Sequence, residues 1–311
     1  MSTYQPVYIQ TYHSGALEEK KKNAFRILES CTLCPRKCKV NRLSGQIGVC
    51  RTDELALLSS FNAHFGEETP LVGENGSGTL FFTHCNLLCI FCQNYDISHL
   101  GQGEEVTPSQ LAGVMLHLQN IGCHNINFVT PSHVIPQILA ALEIAVEKGL
   151  SVPLVYNSGG FDRVSTLKLL NGVFDIYMPD FKFWNPETAG KYCDAENYPE
   201  VAKQGLMEMH RQVGDLVLNE KGIAERGLLV RHLVMPGMGE ETRRIMRFIS
   251  NRISADTYVN IMPQYRPCGR ADEMAEIADA LSMKDYQEAL TAAEEEGLRR
   301  LDQRRRVFII R

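Results

Sequence analysis

Residues 79–94, TLFFTHCNLLCIFCQN, join a short apolar run to three cysteines, Cys85, Cys89 and Cys92. The run TLFFT (79–83) has the length and aromatic content of a buried strand. The C-x3-C-x2-C spacing that follows is dense enough to wrap one small object. Three thiolates hold three irons of a cubane 4Fe–4S cluster, whereas a cluster is normally held by four. A missing fourth ligand leaves one iron open to an outside molecule, as an open position makes a zinc site catalytic rather than structural. Two readings compete with this one: zinc with a distant fourth ligand such as His84, and plain buried thiols.

Further along the chain, five more runs read as strands: INFVT (126–130), PLVYN (153–157), FDIYM (174–178), LLVRHLV (228–234) and TYVNIM (257–262). Amphipathic helices alternate with them. One starts at Thr107 as N-cap with Pro108 behind it, carries Leu111, Val114, Met115 and Leu118 at helical spacing, and stops at Gly122. A second carries Ile135, Ile138, Leu139 and Leu142 and ends at Gly149. Others start on Asp162 and on Asn185-Pro186, or cover 240–253 and 283–301. Near-continuous apolar strands alternating with helices predict a parallel sheet covered by helices. Six βα units are too few for an eight-strand barrel. A doubly wound sheet and an open partial barrel both fit the pattern.

Residues before the first of these strands differ. A helix is predicted over 16–30, and a strand-like run, LALLSSFNAHFG, covers 55–66. Between them CTLCPRKCKVNRLSGQIGVC holds Cys31, Cys34, Cys38 and Cys50, four thiols in twenty residues. Zinc and an iron–sulfur cluster both accept this set. Gly45 and Gly48 let the loop turn back to deliver Cys50. The basic Arg36, Lys37, Lys39 and Arg42 suit a tetrathiolate's negative charge and tilt the reading toward structural zinc, although the same charge suits a cluster. The chain divides on this reading into a Cys-rich extension, 1–75, and a main domain, 76–311. Cys123, Cys193 and Cys268 belong to no group; Cys123 and Cys193 read as packing residues, and Cys268 follows the last strand.

CNLLCIFC matches the C-x3-C-x-aromatic-C signature of the radical S-adenosylmethionine (SAM) superfamily, with Phe91 as the aromatic. Over roughly residues 75–267 the chain resembles the branch containing pyruvate formate-lyase activating enzyme, especially its uncharacterised activase-like relatives. DIYMPDFKF resembles the family's fourth-strand segment, with Asp180 and Lys182 in place. VRHLVMPG resembles the fifth, with Arg231 and the Pro236-Gly237 turn, and YNSGG supplies Asn157 and Ser158 after strand three. One departure stands out: the glycine-rich GGE-type motif usual after strand two is replaced by TPSH, Thr130 to His133.

The resemblance implies a partial (βα)6 TIM-like barrel with a 4Fe–4S cluster on Cys85, Cys89 and Cys92. It implies SAM bound among Phe91, Asn94, Thr130, Ser132, His133, Asn157, Ser158, Asp180, Lys182 and Arg231, with Gln264 and Arg266 nearby. Tyr95 and Tyr177 pack on adenine or on the core, the core being favoured for Tyr177. Reductive cleavage of SAM to a 5′-deoxyadenosyl radical would follow, then hydrogen abstraction from a glycyl residue of a partner protein, or modification of a peptide or small molecule. An electron donor such as flavodoxin or ferredoxin is implied. The contrasting class is an iron–sulfur electron carrier or redox sensor. The connection 197–227 is long, and its second part reads as a hairpin or loop beside the mouth that gates substrate.

Composition sets the outer bounds. The chain has 311 residues, 44% of them hydrophobic and 22% charged, enough for a full core and against disorder. Its formal charge of −5 offers no general basic surface for nucleic acid. The cluster Arg304, Arg305 and Arg306 reads as a solvated tail. No secretory signal or membrane-length apolar run is visible, so a soluble, cytoplasmic protein is expected. Ten cysteines in a reducing compartment point to metal or redox use rather than disulfides.

Overall fold

The computed structural model describes residues 4–302; the three terminal arginines lie outside the described residues. The chain opens with α1 (Val7–His13) and α2 (Ala16–Ile27), then the first cysteine segment, strand β1 (Ala56–His64) and the one-turn α3 (Thr69–Val72). β2 (Ser77–Phe82) leads into the second cysteine loop, which ends in the one-turn α4 (Tyr95–Ser98) and the short β3 (Glu104–Val106). There follow α5 (Pro108–Asn120), β4 (Ile126–Val129), α6 (Ile135–Glu147), β5 (Leu154–Ser158), α7 (Val164–Leu169) and β6 (Ile176–Pro179). The remainder is α8 (Pro186–Cys193), α9 (Tyr198–Val213), β7 (Val217–Leu218), β8 (Ala224–Leu233), α10 (Gly239–Phe248), β9 (Tyr258–Met262), α11 (Met283–Glu295) and β10 (Arg300–Leu301).

Local chemistry explains the helix starts. Thr107 and Gln110 form a reciprocal capping box at α5, satisfying two amides left over by the helix. Asn185 caps α8 and Ser282 caps α11 through their side chains. Asp162 was expected to begin α7, but the helix starts one residue later behind Arg163. The Asp162 carboxylate is committed elsewhere, as described below.

The protein is a mixed α/β fold with a mostly parallel sheet. The strands β2, β4, β5, β6, β8 and β9 lie side by side in that order, all parallel. β10 adds a parallel edge; β1 pairs antiparallel with β2, and β3 with β1. The 75/76 division therefore falls between two paired strands of one sheet. α1 and α2 also lie against the main body, with Tyr8 bonded to the Val152 carbonyl and Thr11 to that of Gly172.

The parallel order never reverses, unlike that of a doubly wound sheet. Right-handed crossovers then place the connecting helices on one face and leave the other to curl inward. The side chains separate accordingly. Leu80, Phe128, Leu154, Tyr156, Tyr177 and Leu228 join the large core beneath the helices. Val155, Ile176, Met178 and Leu229 form a separate inner cluster with Leu71 of α3, Leu216 and Ala224. That cluster plugs the amino end of the inner face.

The predicted hairpin exists: β7 pairs antiparallel with β8. Its predicted place beside the mouth is corrected. A segment entering a parallel strand lies at that strand's amino end, and here Leu216 and Ala224 belong to the plug. The opposite ends of the strands carry the polar residues. Among the described residues no helix is long and apolar enough to cross a membrane.

Candidate active site

A cavity of ≈ 230 Å³ opens at the carboxyl ends of the parallel strands. Cys85, Cys89 and Cys92 line it together with Thr130 after β4, Asn157 and Ser158 of β5, Asp180 and Lys182 after β6, Arg231 and Leu233 of β8, and Met262 and Gln264 at β9. The first and last long parallel strands thus reach one cavity, which only a curled sheet allows. Gln93 donates to the Gln264 carbonyl (3.0 Å) and the Arg270 amide to that of Ile90 (2.8 Å), tying the cysteine loop across the gap.

The loop holding the three thiols turns through two left-handed residues, His84 (φ 68) and Leu88 (φ 59). Each costs about 1–2 kcal/mol relative to right-handed backbone, so the surrounding structure imposes the turn. It directs donors at sulfur: the Leu87 amide lies 3.3 Å from Cys85 Sγ, and Ser98 Oγ 3.3 Å from Cys92 Sγ. Cys193 Sγ stands 3.3 Å from Cys89 Sγ, a contact the sequence did not foretell. Burial pushes the Cys85 thiol up to about 12 and raises Cys92. The Cys193 contact, with burial, holds Cys89 well above its ordinary value. A metal entering here displaces protons from all three.

Beside the thiols lies a buried charge network. Asp180 accepts from Arg231 Nε at 2.8 Å and from Lys182 Nζ. Arg231 Nη2 donates to Asn157 Oδ1 (2.7 Å), and its Nη1 faces Glu67 Oε2 at 3.9 Å. Burial alone would raise the Asp180 carboxyl, but Arg231 and Lys182 hold it below the ordinary carboxylate range. Burial opposes the charge on Lys182, and Asp180 and the nearby Cys89 override it. Glu68, on the same strand-entry segment as Glu67, accepts from Asn260 Nδ2 at 2.7 Å. Neither glutamate is singled out by the sequence pattern.

Of the sequence-predicted cofactor residues, Phe91, Asn94, Thr130, Asn157, Ser158, Asp180, Lys182 and Arg231 line the cavity. Thr130 holds φ 60, ψ 50, a conformation glycine adopts freely, at the place where the resemblance expects glycines. Ser132 and His133 stand apart from the cavity. Ser132 Oγ donates to Asp162 at 2.6 Å, as do Tyr156 OH at 2.8 Å and Ser158 Oγ at 2.5 Å, so the Ser158 hydroxyl faces a structural acid. His133 bonds through Nε2 to the Thr83 carbonyl (2.9 Å) and borders the other cysteine group. Tyr95 stacks on His99, and Tyr177 sits in the outer core bonded to Gln212. His84, Tyr95 and Cys268 do not border the cavity.

Cys31, Cys34, Cys38 and Cys50 surround one hollow, the first, second and fourth of them buried. Three of their neighbours adopt left-handed backbone: Lys37, Lys39 and Arg51. Arg42, almost fully buried, ties this loop together by donating to the carbonyls of Asp53 and His133. Among the described residues no group of three or more His, Cys, Asp or Glu is disposed to hold a single metal ion, at either cysteine group. Three thiols with donors aimed at their sulfurs, on the wall of a roomy cavity, fit a cluster with a ligand beside it.

No family model matches the sequence. Uncharacterized protein MJ0674 of Methanocaldococcus jannaschii is 32% identical over 290 residues, which cover 91% of this chain and 79% of that protein. Native anSMEcpe with bound AdoMet and Cp18Cys peptide aligns with a TM-score of 0.47 and 11% identity over 68% of this chain and 56% of its own. Native anSMEcpe with bound AdoMet aligns with a TM-score of 0.45 and 12% identity over 68% and 57%. The chain spans little more than half the length of those two structures.

Proposed function

We propose that this protein, which belongs to the family of Uncharacterized protein MJ0674, is a radical SAM enzyme. The observation that carries the reading is the pairing of three thiols, rather than four, with a cavity large enough for a nucleoside-sized ligand. Cys85, Cys89 and Cys92 would hold a 4Fe–4S cluster, leaving one iron for the amino and carboxylate groups of SAM. The cluster, when bound, supplies the electron that splits the SAM sulfonium into methionine and a 5′-deoxyadenosyl radical, which takes a hydrogen atom from substrate.

The chain's own residues bind, orient and exclude water. Asn157 has its carboxamide oxygen held by Arg231, which leaves its NH2 as a donor for the ligand. Asp180 is fixed from two sides, so its oxygens need no reorganisation when a ligand arrives. Lys182 and Arg231 hold acidic neighbours, and add positive charge beside the sulfurs and the ligand's carboxylate. Leu233, Met262 and Val129 give the apolar wall that a flat adenine or a methionine chain requires. Thr130 presents backbone in the left-handed conformation where the resemblance places a backbone contact to SAM.

The narrower reading, activation of a partner protein at a glycyl residue with electrons from a flavodoxin or ferredoxin, rests on the family resemblance. The broader reading is tested first. Protein reconstituted anaerobically, reduced with dithionite and given SAM should release 5′-deoxyadenosine, measured by mass spectrometry. A variant carrying Cys85→Ala, Cys89→Ala and Cys92→Ala should release none. Absence of product from wild type with a fully loaded cluster would refute the enzyme and favour an electron carrier.

A further inference from the structure

We propose that the hollow walled by Cys31, Cys34, Cys38 and Cys50 holds a second iron–sulfur cluster, ligated by all four thiolates, and not a zinc ion. Zinc sits about 2.3 Å from each thiolate, which draws the four sulfurs to about 3.8 Å from one another and leaves no interior. Here the four cysteines, with Leu33, Val40 and Arg42 among their neighbours, line a hollow of ≈ 10 Å³. That is about one water-sized sphere's worth, and a collapsed tetrathiolate has none. The disposition agrees: these side chains do not converge as a single ion requires.

The sulfurs are also dressed for charge. The Val49 amide lies 3.5 Å from Cys38 Sγ. Thr52 Oγ donates to the Cys50 carbonyl at 2.9 Å and fixes the backbone that presents the fourth thiol. An amide aimed at sulfur is the device already seen at Cys85. Such bonds stabilise and tune cluster thiolates.

Position gives the site a meaning. Arg36, between Cys34 and Cys38, donates to the carbonyls of Asn86 (2.9 Å) and Leu87 (3.2 Å), inside the three-cysteine loop. Asn86 is the chain neighbour of Cys85. The closed site is therefore built against the open one through the Arg36 guanidinium.

The test removes the open site and counts what remains. The chain carrying Cys85→Ala, Cys89→Ala and Cys92→Ala is reconstituted with iron and sulfide, with zinc also offered. We expect iron and acid-labile sulfide in equal amounts, about two to four of each per chain, with a cluster signature in Mössbauer spectra. One zinc per chain, one iron without sulfide, or a folded chain without metal would overturn the proposal. Should that variant fail to fold, Gly48→Ala serves in the otherwise native chain. Its added Cβ would lie 2.7 Å from Cys38 Sγ, so the ligand must move. Total iron should fall by this cluster's share while the SAM-responsive iron signal stays; an unchanged iron count contradicts the assignment. The metal and sulfide counts need no SAM, so the proposal stands or falls on them separately from the enzyme reading.

Discussion

Two cysteine loops lie against each other in this protein, and they solve opposite problems. The loop 31–50 closes four thiols around a hollow of ≈ 10 Å³, with Arg42 and His133 sealing its wall. The loop 85–92 offers three thiols to a cavity of ≈ 230 Å³ that five strands share. Both use left-handed, non-glycine residues and amide donors to aim sulfur. On the reading proposed above, the difference is the fourth ligand: the closed loop would bring its own with Cys50, whereas the open loop faces Asn157, Asp180, Lys182 and Arg231. Completing the ligand set makes a site inert to outside molecules; withholding one ligand makes it a reaction centre.

The comparison can be broken at several points. The largest effect should come from single ligands. Cys89→Ala should lower 5′-deoxyadenosine formation by more than about 100-fold, beyond the 10–100-fold typical of changes behind a metal's ligands. Cys34→Ala should instead leave SAM binding detectable by equilibrium dialysis. Equal loss in both variants would show that the two loops are one functional unit.

Next comes the charge network that only the open site has. Arg231→Met would strip Asp180 of one of its two cations. Removing one partner of a buried pair costs about 3–5 kcal/mol, and urea unfolding of the metal-free chain should show a loss of that size. A loss below about 1 kcal/mol would mean that solvent reaches the network.

Acid should weaken both sides. Burial drives the His133 imidazole, in the closed site's wall, down to about 3, and His232, beneath the open site, down to about 4. His232 is neutral between the Phe181 carbonyl and Thr242 Oγ1. Both folded values lie below the ordinary histidine range. The unfolded chain therefore takes up protons first as pH falls through about 6.5, and stability drops until the folded values are reached. At 1.36 kcal/mol per pKa unit, the histidines contribute on the order of 3–5 kcal/mol each to that loss. His232→Gln should flatten the slope of unfolding free energy against pH over this window; an unchanged slope would contradict the assignment.

The smallest effect belongs to the β7–β8 hairpin. Replacing its exposed Lys221 by Ser should leave SAM binding and cleavage within about twofold, because the hairpin stands at the amino ends of the strands, away from the cavity. A larger change in turnover would restore the gating role that the structure removes.

Much of this arrangement is written in local pattern. All six parallel strands lie where apolar runs mark them, within a few residues at either end, because buried parallel strands need apolar side chains on both faces. The three-cysteine loop is legible for the same local reason, since its chemistry sits in eight consecutive residues. What escaped depends on distant partners. Asp162 resembles a helix cap until Ser132, Tyr156 and Ser158 are seen converging on it. Glu67 and Glu68 resemble surface acids until the sheet curls around them and brings Arg231 and Asn260 within reach. Cys193 resembles a packing residue until α8 sets it against Cys89. The hairpin is legible in the sequence, and chain order gives its true place: a segment entering a parallel strand lies at the amino end, opposite the mouth.

The most direct test of the division between open and closed sites is electron paramagnetic resonance of the reduced protein, recorded with and without SAM in two variants. One lacks Cys85, Cys89 and Cys92; the other lacks Cys31, Cys34, Cys38 and Cys50. We predict that SAM shifts the cluster signal only where the three-cysteine loop is intact, and leaves the signal of the four-cysteine site unmoved. A shift in the variant that keeps only the four-cysteine site, or none in the variant that keeps only the three, would contradict the account.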